Sequence, residues 1–167
     1  MKLRLILSTA VTALVFLILV PSLLYLVSRF IDETLGVPSL LTPALRIMVS
    51  VPLIAVGLAF AGLASLELIK SGSAPVFHTP PHKLVTTGPY RYTRNPILFG
   101  AFLYFLGVST LLGSYTMIGL SAVFFTAPLL HAKFVEEREL LKLFGEEYRR
   151  YRDATPFFLP MGRRRKS

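Results

Sequence analysis

Two long stretches without a charged side chain constrain the fold of this chain more than any other feature. Residues 5–27 and 47–66 contain no Asp, Glu, Lys or Arg. Each stretch reaches the roughly 20 apolar residues that a helix needs to cross the ~30 Å hydrocarbon core of a bilayer. Because a water-soluble domain of 167 residues seldom contains such runs, the sequence predicts an integral membrane protein.

Two further apolar segments follow, at residues 97–112 and 115–132. As one straight helix, residues 97–132 would measure about 54 Å, which exceeds the thickness of the hydrocarbon core. The chain must therefore fold back, and Gly113-Ser114 is the expected turn. Residues 97–112 alone would span about 24 Å, so we expect this helix to be short, kinked or sunk below one interface. The predicted fold is all-α, a polytopic membrane helix bundle with four transmembrane helices.

Basic residues alternate between the segments that connect the predicted spans. The N-terminus, the loop 70–96 and the tail 133–167 each carry a basic excess, and the third loop is uncharged. By the positive-inside rule, these three basic segments, and with them both termini, lie in the cytoplasm. The net charge of +9 then reflects membrane orientation and attraction to lipid, not a nucleic-acid partner. The charges of the first predicted loop cancel one another: Arg29, Asp32, Glu33 and Arg46.

The scarcity of Cys and His excludes several kinds of metal and redox site. The chain has no Cys, which rules out disulfides, thiolate metal sites and a cysteine nucleophile. His78 and His82 are four residues apart, but Pro80 and Pro81 exclude the helix that would bring two imidazoles onto one metal. We therefore expect no metal site. The basic run Arg163-Arg164-Arg165-Lys166 can bind anionic headgroups, or it is a solvated tail.

Chemistry-bearing residues gather on the cytoplasmic side of the predicted bundle. The loop sequence Thr87-Gly88-Pro89-Tyr90-Arg91-Tyr92-Thr93-Arg94-Asn95-Pro96 contains two turn signals and leads directly into the third span. Arg94 would lie next to the bilayer, where its bidentate guanidinium suits a carboxylate or a phosphate. The alternative role for this segment is interfacial anchoring by basic and aromatic side chains.

A pair of carboxylates and an amphipathic stripe follow the fourth span. Glu136 and Glu137 at a membrane boundary are costly unless they meet cations, although a local pair between Lys133 and Glu137 would also satisfy this need. Gly145 is expected to end or bend the following amphipathic helix. His131 is either a packed interfacial residue or a site residue, and Glu67 is expected to pair with Lys70. The stripe comprises Glu137, Leu141, Phe144, Tyr148 and Tyr151.

Together these motifs resemble the isoprenylcysteine carboxyl methyltransferase and phospholipid methyltransferase family. The resemblance covers roughly residues 70–160. It implies that residues 1–167 form one integral membrane domain that transfers the methyl group of S-adenosylmethionine to a lipophilic or lipidated acceptor in the bilayer. The residues that carry the likeness are Leu84 to Pro96, Glu136-Glu137, Leu140, Phe144-Gly145, Tyr148 and Tyr151.

The resemblance also implies roles for individual residues. Arg94, Glu137 and His131 are the expected catalytic residues, because an amine acceptor would need Glu137 or His131 as a base. Two departures bear on the acceptor. Asn95 stands where the family commonly has a titratable His, and the segment around Pro156 lacks an Arg that the family tends to place there. The expected cofactor contacts are Leu84, Val85, Gly88, Tyr90, Arg94, Asn95, Glu136, Glu137 and Tyr148.

Two other functions are compatible with parts of the sequence. Membrane steroid and enone reductases share a related C-terminal architecture and bind NADPH, but they usually follow the loop motif with Gly-Glu, whereas this chain has Gly100-Ala101. A non-catalytic membrane scaffold would instead use its C-terminal amphipathic helix to dock lipids or a partner. The scaffold predicts that the charges of the loop and of Glu136-Glu137 are dispensable for small-molecule binding.

Overall fold

A computed structural model of the chain describes residues 11–73 and 83–161. The regular structure of these residues is helical throughout, which confirms the predicted all-α class. A 3₁₀ turn at Gly88–Arg91 precedes α3, and a π-helical turn at Ala132–Glu136 joins α4 to α5. The helices are α1 (Val11–Leu35), α2 (Pro43–Lys70), α3 (Pro96–Leu112), α4 (Tyr115–His131) and α5 (Glu137–Ala154).

Three helical segments of the described chain are long and apolar enough to cross a membrane. They are α1, α2 and the continuous stretch Tyr115–Ala154. The fourth apolar helix, α3, has 17 residues, in agreement with the prediction that residues 97–112 form a short helix. Pro43 begins α2 at a position where its missing N–H leaves no helical hydrogen bond unmade.

The first helix extends further than the predicted span 5–27. It continues to Leu35 because the next helix-terminating residue is Gly36, which adopts the left-handed conformation with φ 62°. Arg29, Asp32 and Glu33, expected in a loop, therefore lie on the last turns of α1. Several sequence-based expectations fall outside the described residues: Lys2, Arg4, His78, His82 and Arg163 to Lys166.

The structure divides into two compact units, and the described part of the first comprises residues 11–58 and 101–126. Within it, Gly113-Ser114 forms the predicted turn between α3 and α4, with Gly113 at φ 72°. The Ser114 hydroxyl donates to the Asp32 carboxylate at 2.5 Å, and the Thr116 hydroxyl donates to the other oxygen of that carboxylate. Asp32 thus fixes the end of α1 to the start of α4.

The described part of the second unit comprises residues 59–73, 83–100 and 127–161. Here the chain passes from α4 through the π-helical turn into α5 without a break. Gly145 interrupts α5 with φ 51° and ψ −120°, which confirms the predicted bend. The stripe expected on α5 faces inward, since Glu137 and Tyr148 are buried and its other members are half-buried: Leu141, Phe144 and Tyr151.

Candidate functional site

A buried ion pair forms the centre of the second unit. Arg94, two residues before α3 begins, pairs through Nη1 with Oε1 of Glu137, the first residue of α5. The two side chains are only 8% and 11% exposed. A buried charge requires a partner, because its transfer out of water costs several kcal/mol. Arg94 and Glu137, both selected from the sequence, therefore neutralise each other's buried charge.

Further polar and aromatic groups surround this pair. Lys133 Nζ lies 3.4 Å from Oε2 of Glu137, so the local pair expected from the sequence is also present. The buried Tyr148 hydroxyl lies 3.5 Å from Arg94 Nη1. The Phe157 ring lies under both cations, with its centroid 5.7 Å from the Arg94 guanidinium carbon and 4.9 Å from Lys133 Nζ. Both distances are within the range of cation–π attraction.

One donor of this cluster is not used by the protein. Among the described residues, no acceptor receives a hydrogen bond from the buried Nε of Arg94. Such an orphaned donor costs about 1–3 kcal/mol when the charge beside it is otherwise desolvated. A ligand or an ordered water can accept the hydrogen bond that this donor lacks.

The segment before Arg94 is a tight turn that Glu67 supports. Gly88 has φ 57°, a conformation that favours glycine, and it begins the 3₁₀ turn Gly88–Arg91. The Glu67 carboxylate, near the end of α2, accepts a hydrogen bond from the Thr87 hydroxyl at 2.8 Å and pairs with Lys70 at 2.9 Å. The expected Glu67–Lys70 pair is therefore confirmed, and Glu67 also ties α2 to the turn.

Tyr90 lies buried in the same turn. Burial raises the pKa of the Tyr90 phenol well above its ordinary value, and the neighbouring Tyr151 and Glu136 raise it further. The phenol is therefore neutral near physiological pH, where it can donate a hydrogen bond but cannot serve as a base.

The segment that follows α5 returns to the loop and holds it in place. The backbone N–H of Arg94 donates to the carbonyl of Pro156 at 3.0 Å. The Phe157 carbonyl accepts from Asn95 Nδ2 at 2.9 Å and from the Thr93 hydroxyl at 3.2 Å. Sequence analysis missed this contact, although the Pro-rich end of α5 signals a chain reversal. Asn95, expected to touch a cofactor, uses its amide nitrogen to bind this segment.

The π-helical turn gives the two adjacent carboxylates different partners. Glu137 N–H closes the turn by donating to the Ala132 carbonyl. Glu137 is directed to Arg94, whereas Oε1 of Glu136 lies 3.4 Å from Nδ1 of the partly exposed His131. Turns of this kind often mark functional positions in helices. No sequence motif indicated it.

The structure thus brings some of the predicted site residues together and places the others around them. Arg94 contacts both Glu137 and Tyr148, and Glu136 is close enough to Tyr90 to raise the pKa of its phenol. At the start of the loop, Leu84 is buried, Val85 is half-buried and Gly88 is exposed. Within the described residues, no group of three His, Asp or Glu side chains is arranged to hold a metal ion.

Comparison with known proteins relates this chain to methyltransferases. The sequence profile described as phospholipid methyltransferase matches residues 45–147, which include Arg94, Lys133 and Glu137. A protein-S-isoprenylcysteine O-methyltransferase of Schizosaccharomyces pombe is 34% identical over 80 residues. That alignment covers 48% of this chain and 34% of the relative, so the chain matches about a third of the relative's length.

Proposed function

The chain belongs to the phospholipid methyltransferase family, and from this premise we propose that it is an integral membrane enzyme that uses S-adenosylmethionine to methylate a lipophilic acceptor. The observation that carries the proposal is the buried pair of Arg94 and Glu137, one residue from each motif. The Nε of Arg94, which has no acceptor among the described residues, leaves this pair a donor to offer a ligand. The site faces the cytoplasm in this proposal, as the charge distribution predicts.

The residues of the site fit the donor by their chemistry. The unused Nε of Arg94 is suited to the donor's carboxylate, since a charged hydrogen bond there would satisfy a buried group. Glu136 and Glu137 offer carboxylates to its ammonium group. Tyr148 and Leu84, both buried, offer apolar surface to adenine. The remaining proposed contacts are Val85, Gly88, Tyr90 and Asn95.

The protein's own contribution to the reaction is mainly positioning. S-adenosylmethionine supplies an activated methyl group: the acceptor's lone pair forms the new bond, and the electrons of the broken carbon–sulfur bond stay on sulfur. Holding donor and acceptor in line can supply several kcal/mol of the barrier reduction. Tyr148 and Phe157 cover the ion pair and keep water from it, which strengthens its electrostatic interactions.

The nature of the acceptor decides whether a base is needed. A carboxylate already carries the lone pair that attacks, so its methylation releases no proton. An amine must first lose a proton, and His131 with Glu136 at 3.4 Å is then the candidate acceptor of that proton. Glu137 is less suited to accept this proton because its carboxylate already forms ion pairs with Arg94 and Lys133.

Methyl transfer by the purified protein tests the proposal. In detergent with a total lipid extract, we expect radiolabel from S-adenosylmethionine to enter a lipid-extractable product. Arg94→Ala and Glu137→Ala should each lower this rate at least tenfold, a loss of about 1.4 kcal/mol of transition-state stabilisation. Arg150→Ala and Glu147→Ala, which remove the same charges from exposed positions of α5, should leave the rate unchanged.

Two results would refute the proposal. Consumption of NADPH with an enone substrate, without label transfer, would identify a reductase. Failure to bind either S-adenosylhomocysteine or NADPH would identify a scaffold.

A further inference from the structure

Similar residues stand in adjacent pairs along the first half of α5. The second member of each pair is buried or half-buried on the inward stripe, at the i, i+4, i+7 spacing of one helix face. The first members have the same spacing, so a shift of the helix by one residue would give an equivalent stripe. The pairs are Glu136-Glu137, Leu140-Leu141 and Leu143-Phe144.

The π-helical turn Ala132–Glu136 contains the extra residue that such a shift requires. The N–H of Glu137 donates to the carbonyl of Ala132, five residues earlier, whereas an α-helix joins residues four apart. The turn therefore holds one residue more than an α-helical turn. If it straightened into α-helix while α4 stayed in place, Glu136 would occupy the present position of Glu137 and face Arg94.

The contacts of the turn show which ion pairs this change would keep and which it would break. Lys133 lies 3.4 Å from Glu137 at i+4, and in a straight α-helix it would reach Glu136 at i+3. His131 meets Glu136 across five residues, at 3.4 Å. Residues five apart in an α-helix point about 140° away from each other, so the contact of His131 with Glu136 requires the π-helical turn.

Gly145 gives the shift a place to end. Its backbone, with φ 51° and ψ −120°, already interrupts the helical geometry of α5. Beyond it the pairing of similar residues stops, because the exposed Glu147 precedes the buried Tyr148. A shift that continued past Gly145 would bring a carboxylate to the buried position of Tyr148, at a high desolvation cost. The segment that can shift is therefore 136–144.

We propose that residues 136–144 have two registers, the π register described above and an α register in which Glu136 replaces Glu137 at Arg94. This inference concerns the conformation of the protein and does not depend on methyl transfer. The buried guanidinium faces a carboxylate in both registers, which keeps the cost of the exchange low. The α register separates Glu136 from His131, so a ligand that contacts both carboxylates in their present positions would favour the π register.

Cysteine accessibility distinguishes the two registers, because the chain has no Cys of its own. Glu139 is exposed, but in the α register it would take the half-buried position of Leu140. Lys142 is exposed and would take the position of Leu143, which is 56% exposed. A maleimide should therefore label Glu139→Cys more slowly in the α register and Lys142→Cys equally in both.

Replacement of Glu137 should populate the α register. In detergent without ligand, Glu137→Gln leaves the Arg94 guanidinium without a carboxylate unless Glu136 takes its place. We expect the labelling rate of Glu139→Cys to fall by about threefold or more in this background, while that of Lys142→Cys stays at the rate of the parent.

Deletion of Val135, an exposed residue of the turn, provides the matched control. It removes the extra residue, so a straight α-helix already places Glu137 at Arg94 and no further shift is available. Glu137→Gln should then leave the labelling rate of Glu139→Cys unchanged. Glu136→Gln combined with Glu137→Gln should do the same without the deletion, since neither register then offers a carboxylate.

Two results would overturn the two registers. One is a labelling rate of Glu139→Cys that Glu137→Gln does not change. The other is an equal fall in that rate when Val135 is deleted or when both glutamates are replaced. Should Glu137→Gln not fold, Glu137→Asp is measured instead, because its shorter side chain brings the carboxylate less close to Arg94.

Discussion

Individual residues carry the charge balance of the site. Sequence analysis selected Arg94 and Glu137 because a cation and a carboxylate at a membrane boundary need partners, and the structure pairs them with each other. It did not predict that Glu136 would instead meet His131. Adjacent residues of a helix point about 100° apart, so which of two neighbouring carboxylates faces a loop depends on the helix rotation, which composition does not determine.

Gly88 provides a prediction at the level of one residue. The backbone at this position has φ 57°, which is unfavourable for a residue with a Cβ. An added Cβ would also lie 2.9 Å from Cγ of Glu67. Gly88→Ala should therefore lower the free energy of unfolding by about 1–2 kcal/mol, with a fall of several degrees in the Tm measured in detergent. Gly62→Ala is the control, because this helical glycine of α2 has open space around it and should be neutral or slightly stabilising. Equal Tm values for the two variants would contradict the account.

Helices and their junctions position these residues. Hydropathy and turn residues predicted the helices and the turn at Gly113-Ser114, because burial of apolar surface and the conformational freedom of glycine are local properties. The π-helical turn Ala132–Glu136 was not predicted, since its hydrogen-bond register leaves no mark in the sequence. The return of residues 155–161 to the loop was also missed, because its contacts use backbone carbonyls that every residue has.

At the scale of the whole molecule, three long apolar segments indicate a membrane protein, and the charge distribution predicts its orientation. Because the chain has no Cys, a single introduced cysteine reports which side of the membrane it lies on, with no labelling at other positions of the chain. A membrane-impermeant maleimide added to intact cells should label Ser39→Cys and should label Lys83→Cys only after permeabilisation, both positions being exposed. Labelling of Lys83→Cys in intact cells would contradict the predicted cytoplasmic loop and would place the site on the side where the donor is scarce.

The most direct test of the account is calorimetric binding of S-adenosylhomocysteine to a variant in which both members of the buried pair are replaced, Arg94→Met with Glu137→Leu. Removing one partner alone strands a buried charge, at a cost of about 3–5 kcal/mol, whereas replacing both with apolar residues of similar size is often neutral for stability. We predict a Tm within a few degrees of the wild type and binding at least tenfold weaker. A folded double variant that binds S-adenosylhomocysteine as tightly as the wild type would show that the pair of Arg94 and Glu137 does not hold the methyl donor.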